Sequence, residues 1–178
     1  WNDAGAYVGY HTLMTALGRA PRPASDFVQR QVSASFQGTL AARSGDPWAG
    51  TDALRLWTLP SGPPITQEVL DDGTQRASPY WWERLQDKDQ YTVYLGGNHA
   101  ATVLRNPQGQ GRLLLLKDSY AHILAPLLAA DFEEVHLLDA RYYLDNLDAY
   151  IAQNGITDVA ALFSLETFGT QKLPLTWA

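Results

Sequence analysis

The sequence predicts an α/β domain, a parallel sheet flanked by helices with a β-rich insertion, and three observations carry that prediction. Residues 113–116 are four consecutive leucines, an apolar run without alternation, the pattern of a strand buried on both faces as in a parallel sheet; periodicity alone also admits a buried helix segment. Past the polar string Lys117, Asp118 and Ser119, the residues Ile123, Leu124, Leu127 and Leu128 recur at helical spacing. The order then repeats: "EEVHLLD" (133–139) reads as a strand, "LDNLDAYIAQNG" (144–155) as a helix and "TDVAALFS" (157–164) as a strand. Such a β-α-β-α-β order implies parallel strands joined by right-handed crossovers.

Taken in order, the first element is a helix. Ala4, Tyr7, Val8, His11, Met14 and Leu17 follow the 3.6-residue period, with Asn2 or Asp3 as cap and Gly18 as stop before "PRP". His11 lies on that apolar stripe, where a hydrogen-bonded core histidine is the first expectation. From Pro21 to Ser78 prolines, glycines and short runs ("QVSASFQG", "ALRLWTL", "PITQEVLDD") suggest strands joined by turns, a β-rich insertion. "SPYWWERL" (78–85) has a serine cap and a proline at the first helical position. Its Trp81 and Trp82 could stack on a sugar ring, but one of them filling the core is the simpler reading. "YTVYLGGNH" (91–99) reads as a strand ending in a glycine pair, and "ATVLRN" with "GRLLLLKD" as a hairpin-like pair around "PQGQG"; a helix follows over 120–130.

The totals bound the class. A chain of 178 residues suits a single domain, 1–178, with 21–78 as an excursion. No apolar run approaches the roughly 20 residues of a membrane helix. A net charge of -6 without clustered Lys and Arg argues against nucleic acid. The absence of cysteine excludes disulfides and thiolate metal sites. His122 and His136 have no ligand spacing with each other or with carboxylates, so neither a metal nor another cofactor is expected. There is no internal repeat, low-complexity tract or P-loop. The first residue is Trp1, followed at once by a helical pattern, as in a chain cut from something longer.

Three segments place polar groups just after apolar strands: Gly96, Gly97, Asn98 and His99; Lys117, Asp118 and Ser119; Asp139, Arg141 and Tyr142. In open α/β sheets ligands bind at that end of the strands. A serine, a histidine, an amide donor and a cation converging there suit acyl transfer: Ser119 attacks, a histidine takes its proton, and the Ser119 N–H with the Asn98 amide stabilises an oxyanion. Each residue also has a plainer role. Ser119 can cap a helix, Asn98 and Gly97 can serve a turn needing positive φ, Asp118 can pair with Lys117, and Arg141 can hold Asp139.

The strings "LGGNHA", "LLLLKDSYAHILAPLLAADFEEVHLLDARYY" and "ITDVAALFSLETF" resemble the DHHW family of bacterial surface proteins, related to the SGNH hydrolase-like O-acetyltransferases of alginate biosynthesis. The resemblance covers about residues 88–170 and, separately, the first helix. It implies an SGNH-like (flavodoxin-like) fold. It also implies a carbohydrate O-acetyltransferase or acetylesterase working outside the cytoplasm, at the cell surface or on a membrane anchor, with a glycan acceptor and an acetyl donor as partners. Trp1 resembles the last letter of the family's Asp-His-His-Trp string. The resemblance therefore places an Asp-His base just ahead of Trp1, and the chain without it is expected to be nearly inactive. Ser119 matches the family nucleophile, Arg141 in "DARYY" a position near the site, and His99 is the in-chain substitute for the base. Lys117 departs from the glycine common in SGNH enzymes. A non-catalytic carbohydrate-binding or cell-envelope scaffold, with Trp48, Trp57, Trp81 and Trp82 as its aromatic surface, is the alternative.

Overall fold

The computed structural model describes residues 1–38, 48 and 50–170; the stretch 39–47 of the expected insertion lies outside them. The chain runs α1 (Asp3–Ala16), β1 (Val28–Phe36), β2 (Asp52–Thr58), β3 (Thr66–Val69), β4 (Gln75–Arg76), β5 (Ala101–Arg105), β6 (Arg112–Lys117), α2 (Ala125–Leu128), β7 (Glu134–Asp139), α3 (Leu147–Asn154), β8 (Asp158–Leu162) and α4 (Leu165–Thr170). Six strands form one sheet in the order β4-β3-β5-β7-β6-β8, while β1 and β2 form a separate antiparallel pair.

The fold is α/β as expected, but the sheet is mixed. Strands β7, β6 and β8 are parallel, and β5, β3 and β4 extend the β7 edge antiparallel. The hairpin expected of β5 and β6 does not form, because β7 lies between them and pairs with both. The connecting loop is tied to the start of β7 instead: Asn106 N donates to Glu133 O at 2.8 Å and Gln110 N to Asp131 O at 2.9 Å. The leucine run explains the preference, since a strand buried on both faces needs partners at both edges. Leu113 and Leu115 enter the core shared with α1 and α2, while Leu114 and Leu116 join Ala101, Leu138 and Leu147 on the other face.

Three further elements differ from the sequence pattern. In α1 the buried face is Ala6, Tyr10 and Met14, whereas His11 is exposed and Val8 is 64% exposed. The helix turns Tyr10 inward because its hydroxyl finds partners there, donating to Asp131 and accepting from Arg22 N at 2.7 Å. The helix expected over 120–130 is a 3₁₀ turn, Ser119–Ala121, followed by the short α2. "YTVYLGGNH" is a 3₁₀ turn, Gln90–Val93, and a loop in which Leu95, Gly96 and Gly97 have φ of 65°, 80° and 113°. Three successive positive φ values cannot continue a strand. Likewise "SPYWWERL" gives a single Tyr80–Tyr94 bridge and a 3₁₀ turn, Trp82–Gln86, with the Ser78 hydroxyl accepting from Tyr80 N.

Candidate functional site

The site grows from the carboxyl ends of β6 and β7, where Lys117 and Asp139 are in register. Lys117 turns inward and is 2% exposed. Its Nζ lies 3.0 Å from His122 Nε2 and 3.3 Å from Asp139 Oδ2. Asp139 is clasped on its other side by Arg141, Nε to Oδ1 at 2.8 Å and Nη2 to Oδ2 at 2.7 Å, with Arg141 N adding a third bond at 3.1 Å. Burial pushes the Lys117 ammonium below the usual lysine range, and Asp139 opposes that shift. Burial, then the charge of Lys117, holds His122 well below the usual histidine range. The ring is therefore neutral. Since an ammonium only donates, Nε2 accepts and the ring proton sits on Nδ1.

The cap of the next turn is Asp118, not Ser119. One Asp118 oxygen accepts from Tyr120 N at 2.8 Å and the other from Ser164 N at 2.9 Å, fastening the end of β6 to the residues after β8. Burial raises its pKa, but the hydrogen bonds from Thr167, Ser164 and Tyr120 outweigh that and leave it below the ordinary carboxylate value. Asp118 is thus occupied with holding backbone. Ser119, freed from capping, is half-buried, and among the described residues its hydroxyl has no hydrogen-bond partner. Ser119 opens the 3₁₀ turn, so its own N–H has no partner within it.

Trp1 lies beside this turn. Its indole stacks on Tyr120 with centroids 4.5 Å apart and planes 14° apart, and its Nε1 donates to Tyr120 O at 3.2 Å. The other side of the indole rests on α1 at Gly9, where a Cβ would stand 2.7 Å from the ring. The aromatic pair stays partly open to solvent, Trp1 at 40% and Tyr120 at 38%.

The loop 95–99 is braced from behind. Gln67 donates to Leu95 O at 2.9 Å and accepts from Trp81 Nε1 at 3.0 Å, and the Trp81 ring lies flat over Gly96. Neither tryptophan of the pair fills the core: Trp81 is half-buried, with the Arg76 guanidinium 4.3 Å from its ring, and Trp82 is 41% exposed. Asn98 is exposed and His99 half-buried, tilted against Trp81 with centroids 6.3 Å apart. Among the described residues His99 Nε2 is buried without a partner, and no hydrogen bond joins Gly97, Asn98 or His99 to Ser119. His99 does face the cluster electrostatically, adding to the downward shift of His122. Tyr142 is 52% exposed with the Arg141 guanidinium 5.2 Å above its ring.

Sequence reasoning places Gly96, Gly97, Asn98 and His99, Lys117, Asp118 and Ser119, and Asp139, Arg141 and Tyr142 at one rim; of these, Lys117, Asp139 and Arg141 are joined by ion pairs. It misses His122, five residues past Lys117, and Tyr91, whose hydroxyl donates to Ser119 O at 3.1 Å. A cavity of about 260 Å³ lined by Phe27, Trp57, Pro64, Tyr80 and Pro126 lies elsewhere, and none of the strand-end residues lines it.

Fold and strand-end group together define an α/β domain of the SGNH-like kind. No family model matches the sequence, and no curated protein matches it. Among solved structures, the chain is similar to a DHHW family protein from Eubacterium siraeum, with a TM-score of 0.76 and 19% identity over 94% of this chain and 57% of that one. It is similar also to Bacillus cereus PatB1 bearing a sulfonyl adduct, with a TM-score of 0.74 and 25% identity over 94% of this chain and 58% of that one. For PatB1 without the adduct the TM-score is 0.72 and the identity 24%, over 94% of this chain and 60% of that one. The chain spans less than two thirds of the length of these structures, which share its fold.

Proposed function

We propose that this domain is a serine-dependent carbohydrate O-acetyltransferase or acetylesterase of the cell envelope, with Ser119 as nucleophile and a base delivered from the chain ahead of Trp1. The observation that carries the reading is the stack of Trp1 on Tyr120, the residue next to Ser119. An Asp-His pair carried just ahead of Trp1 starts beside the turn that bears Ser119, which supports this reading. The hydroxyl proton passes to that histidine as Oγ attacks the acetyl carbonyl, and the carboxylate orients the imidazole. The Ser119 N–H and the Asn98 amide are the donors for the oxyanion of the tetrahedral intermediate. Its collapse expels the donor's leaving group with the proton. A glycan hydroxyl or water then takes the acetyl group from Ser119 and restores the serine. Arg141, with Tyr142 beneath it, faces the acceptor. The likeness to PatB1, which bears a sulfonyl adduct, supports nucleophilic chemistry of the acyl-transfer kind, because such an adduct forms when a protein nucleophile displaces a leaving group from a sulfonyl compound.

The test is hydrolysis of a chromogenic acetyl ester by this chain and by a version carrying an Asp-x-His segment ahead of Trp1. Without a general base the remaining rate rests on binding and oxyanion stabilisation, about 10³ to 10⁴ over water in serine hydrolases. The extended chain is expected to be faster by at least about a hundredfold, with Ser119→Ala abolishing the gain. Equal rates, or rates indifferent to Ser119→Ala, refute the proposal. Loss of activity on His99→Ala in the extended chain assigns the base to His99 instead, and glycan binding with no esterase activity favours the scaffold.

A further inference from the structure

Tyr91 is half-buried beneath the Ser119 turn and meets it at three points. Its hydroxyl donates to Ser119 O at 3.1 Å, lies 3.4 Å from Tyr120 O, and accepts from Ile123 N at 3.3 Å. A phenol has one proton and two lone pairs, so the shorter contact to Ser119 takes the proton and the Ile123 amide takes a lone pair. Burial pushes the hydroxyl's pKa up, which keeps that proton in place at all ordinary pH. The ring below stacks nearly parallel on His122, with centroids 6.1 Å apart and planes 10° apart, and tilts against Tyr94 at 5.4 Å. His122 is in turn gripped by Lys117. The turn that presents the serine is therefore bound on one side by Asp118 and on the other by a single phenol hydroxyl, whose ring is packed on the histidine held by Lys117.

This matters because a 3₁₀ turn of three residues has little strength of its own, its hydrogen bonds being fewer and less well aligned than those of a longer helix. Ile123 is 5% exposed, so without Tyr91 its N–H loses its only partner among the described residues and the turn must move to find another. Displacements of about 1 Å at a reacting group cost on the order of a hundredfold in rate.

We infer that Tyr91 is a positioning residue for the nucleophile: its hydroxyl sets the 119–123 backbone from which the Ser119 side chain projects. The inference rests on the proposed role of Ser119 and adds a residue to it. It is tested in the chain carrying the Asp-x-His segment ahead of Trp1, the wild type of this comparison, by labelling with phenylmethanesulfonyl fluoride, in which the Ser119 Oγ–S bond forms as the S–F bond breaks and the hydroxyl proton and fluoride leave. The readouts are the saturating rate (kinact) and half-saturation (KI), with the site of labelling located by mass spectrometry. Tyr91→Phe keeps every ring contact and deletes only the hydroxyl. Its kinact is expected to fall at least tenfold with KI unchanged, and exchange of the Ile123 amide with solvent to accelerate at least tenfold. Tyr94→Phe is the control, because Tyr94 is more deeply buried still, at 2% exposure, but its hydroxyl donates to Arg55 O, away from the turn. It is expected to label at the wild-type rate. A Tyr91→Phe protein that labels like wild type overturns the inference while leaving Ser119 as nucleophile. So do equal losses in both variants, which indicate general loosening. A wild-type protein that is not labelled at Ser119 overturns the functional reading, and the positioning role falls with it.

Discussion

Replacing Lys117 with methionine tests the account of the buried cluster, because the expected cost is smaller than the burial of a salt bridge suggests. Removing one partner of a buried ion pair typically costs about 3–5 kcal/mol, since it strands the other charge. Lys117→Met does not strand Asp139, which keeps both bonds from the Arg141 side chain and the one from its backbone N–H. What is lost is the donor to His122 Nε2, an unsatisfied buried acceptor worth about 1–3 kcal/mol. Against that stands the desolvation of an ammonium, relieved in the variant. The net loss is therefore expected at about 1–2 kcal/mol. Asp139→Asn is the opposite case: it leaves Lys117 and Arg141 as two cations without their shared counter-charge, and about 3–5 kcal/mol is expected. Urea denaturation of both variants at pH 8 gives the comparison. If Lys117→Met proves as damaging as Asp139→Asn, the division of charge described for the cluster is wrong.

Two other outcomes follow from the same structure. Gly96→Ala places a Cβ 2.5 Å from the Trp81 indole at a φ of 80°. Left-handed strain of about 1–2 kcal/mol and loss of the Trp81–Gln67 bond, about 1 kcal/mol, predict roughly 2–3 kcal/mol of destabilisation in urea melts with a red-shifted tryptophan emission. A change under about 0.5 kcal/mol, within the range of ordinary surface substitutions, contradicts it. Acid should also unfold the protein through His122. Its folded pKa is depressed, so below about 6.5 the unfolded chain binds a proton that the folded one refuses. Stability is then complete above that pH and declines by about 1.4 kcal/mol per unit as pH falls toward the folded value. His122→Gln should flatten that slope; an unchanged slope between pH 6.5 and 5 assigns the acid sensitivity elsewhere.

What was legible in the sequence was whatever depended on local pattern. The four leucines announce a doubly buried strand, and alternate members do enter opposite cores. The polar groups at strand ends announce a common rim, and Lys117, Asp139 and Arg141 meet there. The errors lie where a distant partner overrode the local signal. Six residues between β5 and β6 look like a hairpin turn, but both strands pair with β7 instead of with each other. Tyr91, Val93 and Tyr94 have strand-forming side chains, yet the glycine pair after them adopts positive φ under Trp81. The periodic stripe of α1 is rotated because a tyrosine hydroxyl with partners on two other segments outweighs a valine and a histidine that water can cover.

The candidate site was the least legible part for the same reason. Its contacts join residues far apart in the chain: 119 positions separate Trp1 from Tyr120, 46 separate Asp118 from Ser164, 28 separate Tyr91 from Ser119 and 22 separate Lys117 from Asp139. The string 117–120 holds one partner of each contact, but the other partners lie in four distant segments, so no reading of one segment specifies the arrangement. Each contact closes a long loop, and the entropy of closure is met only once the sheet and α1 are in place. The turn bearing Ser119 contributes little order of its own and takes its geometry from Asp118, Tyr91 and Trp1. Lys117 fits that scheme where a glycine would not. A glycine ends a strand with no side chain to reach beyond it, whereas Lys117 grips both the neighbouring strand end, through Asp139, and the turn, through His122.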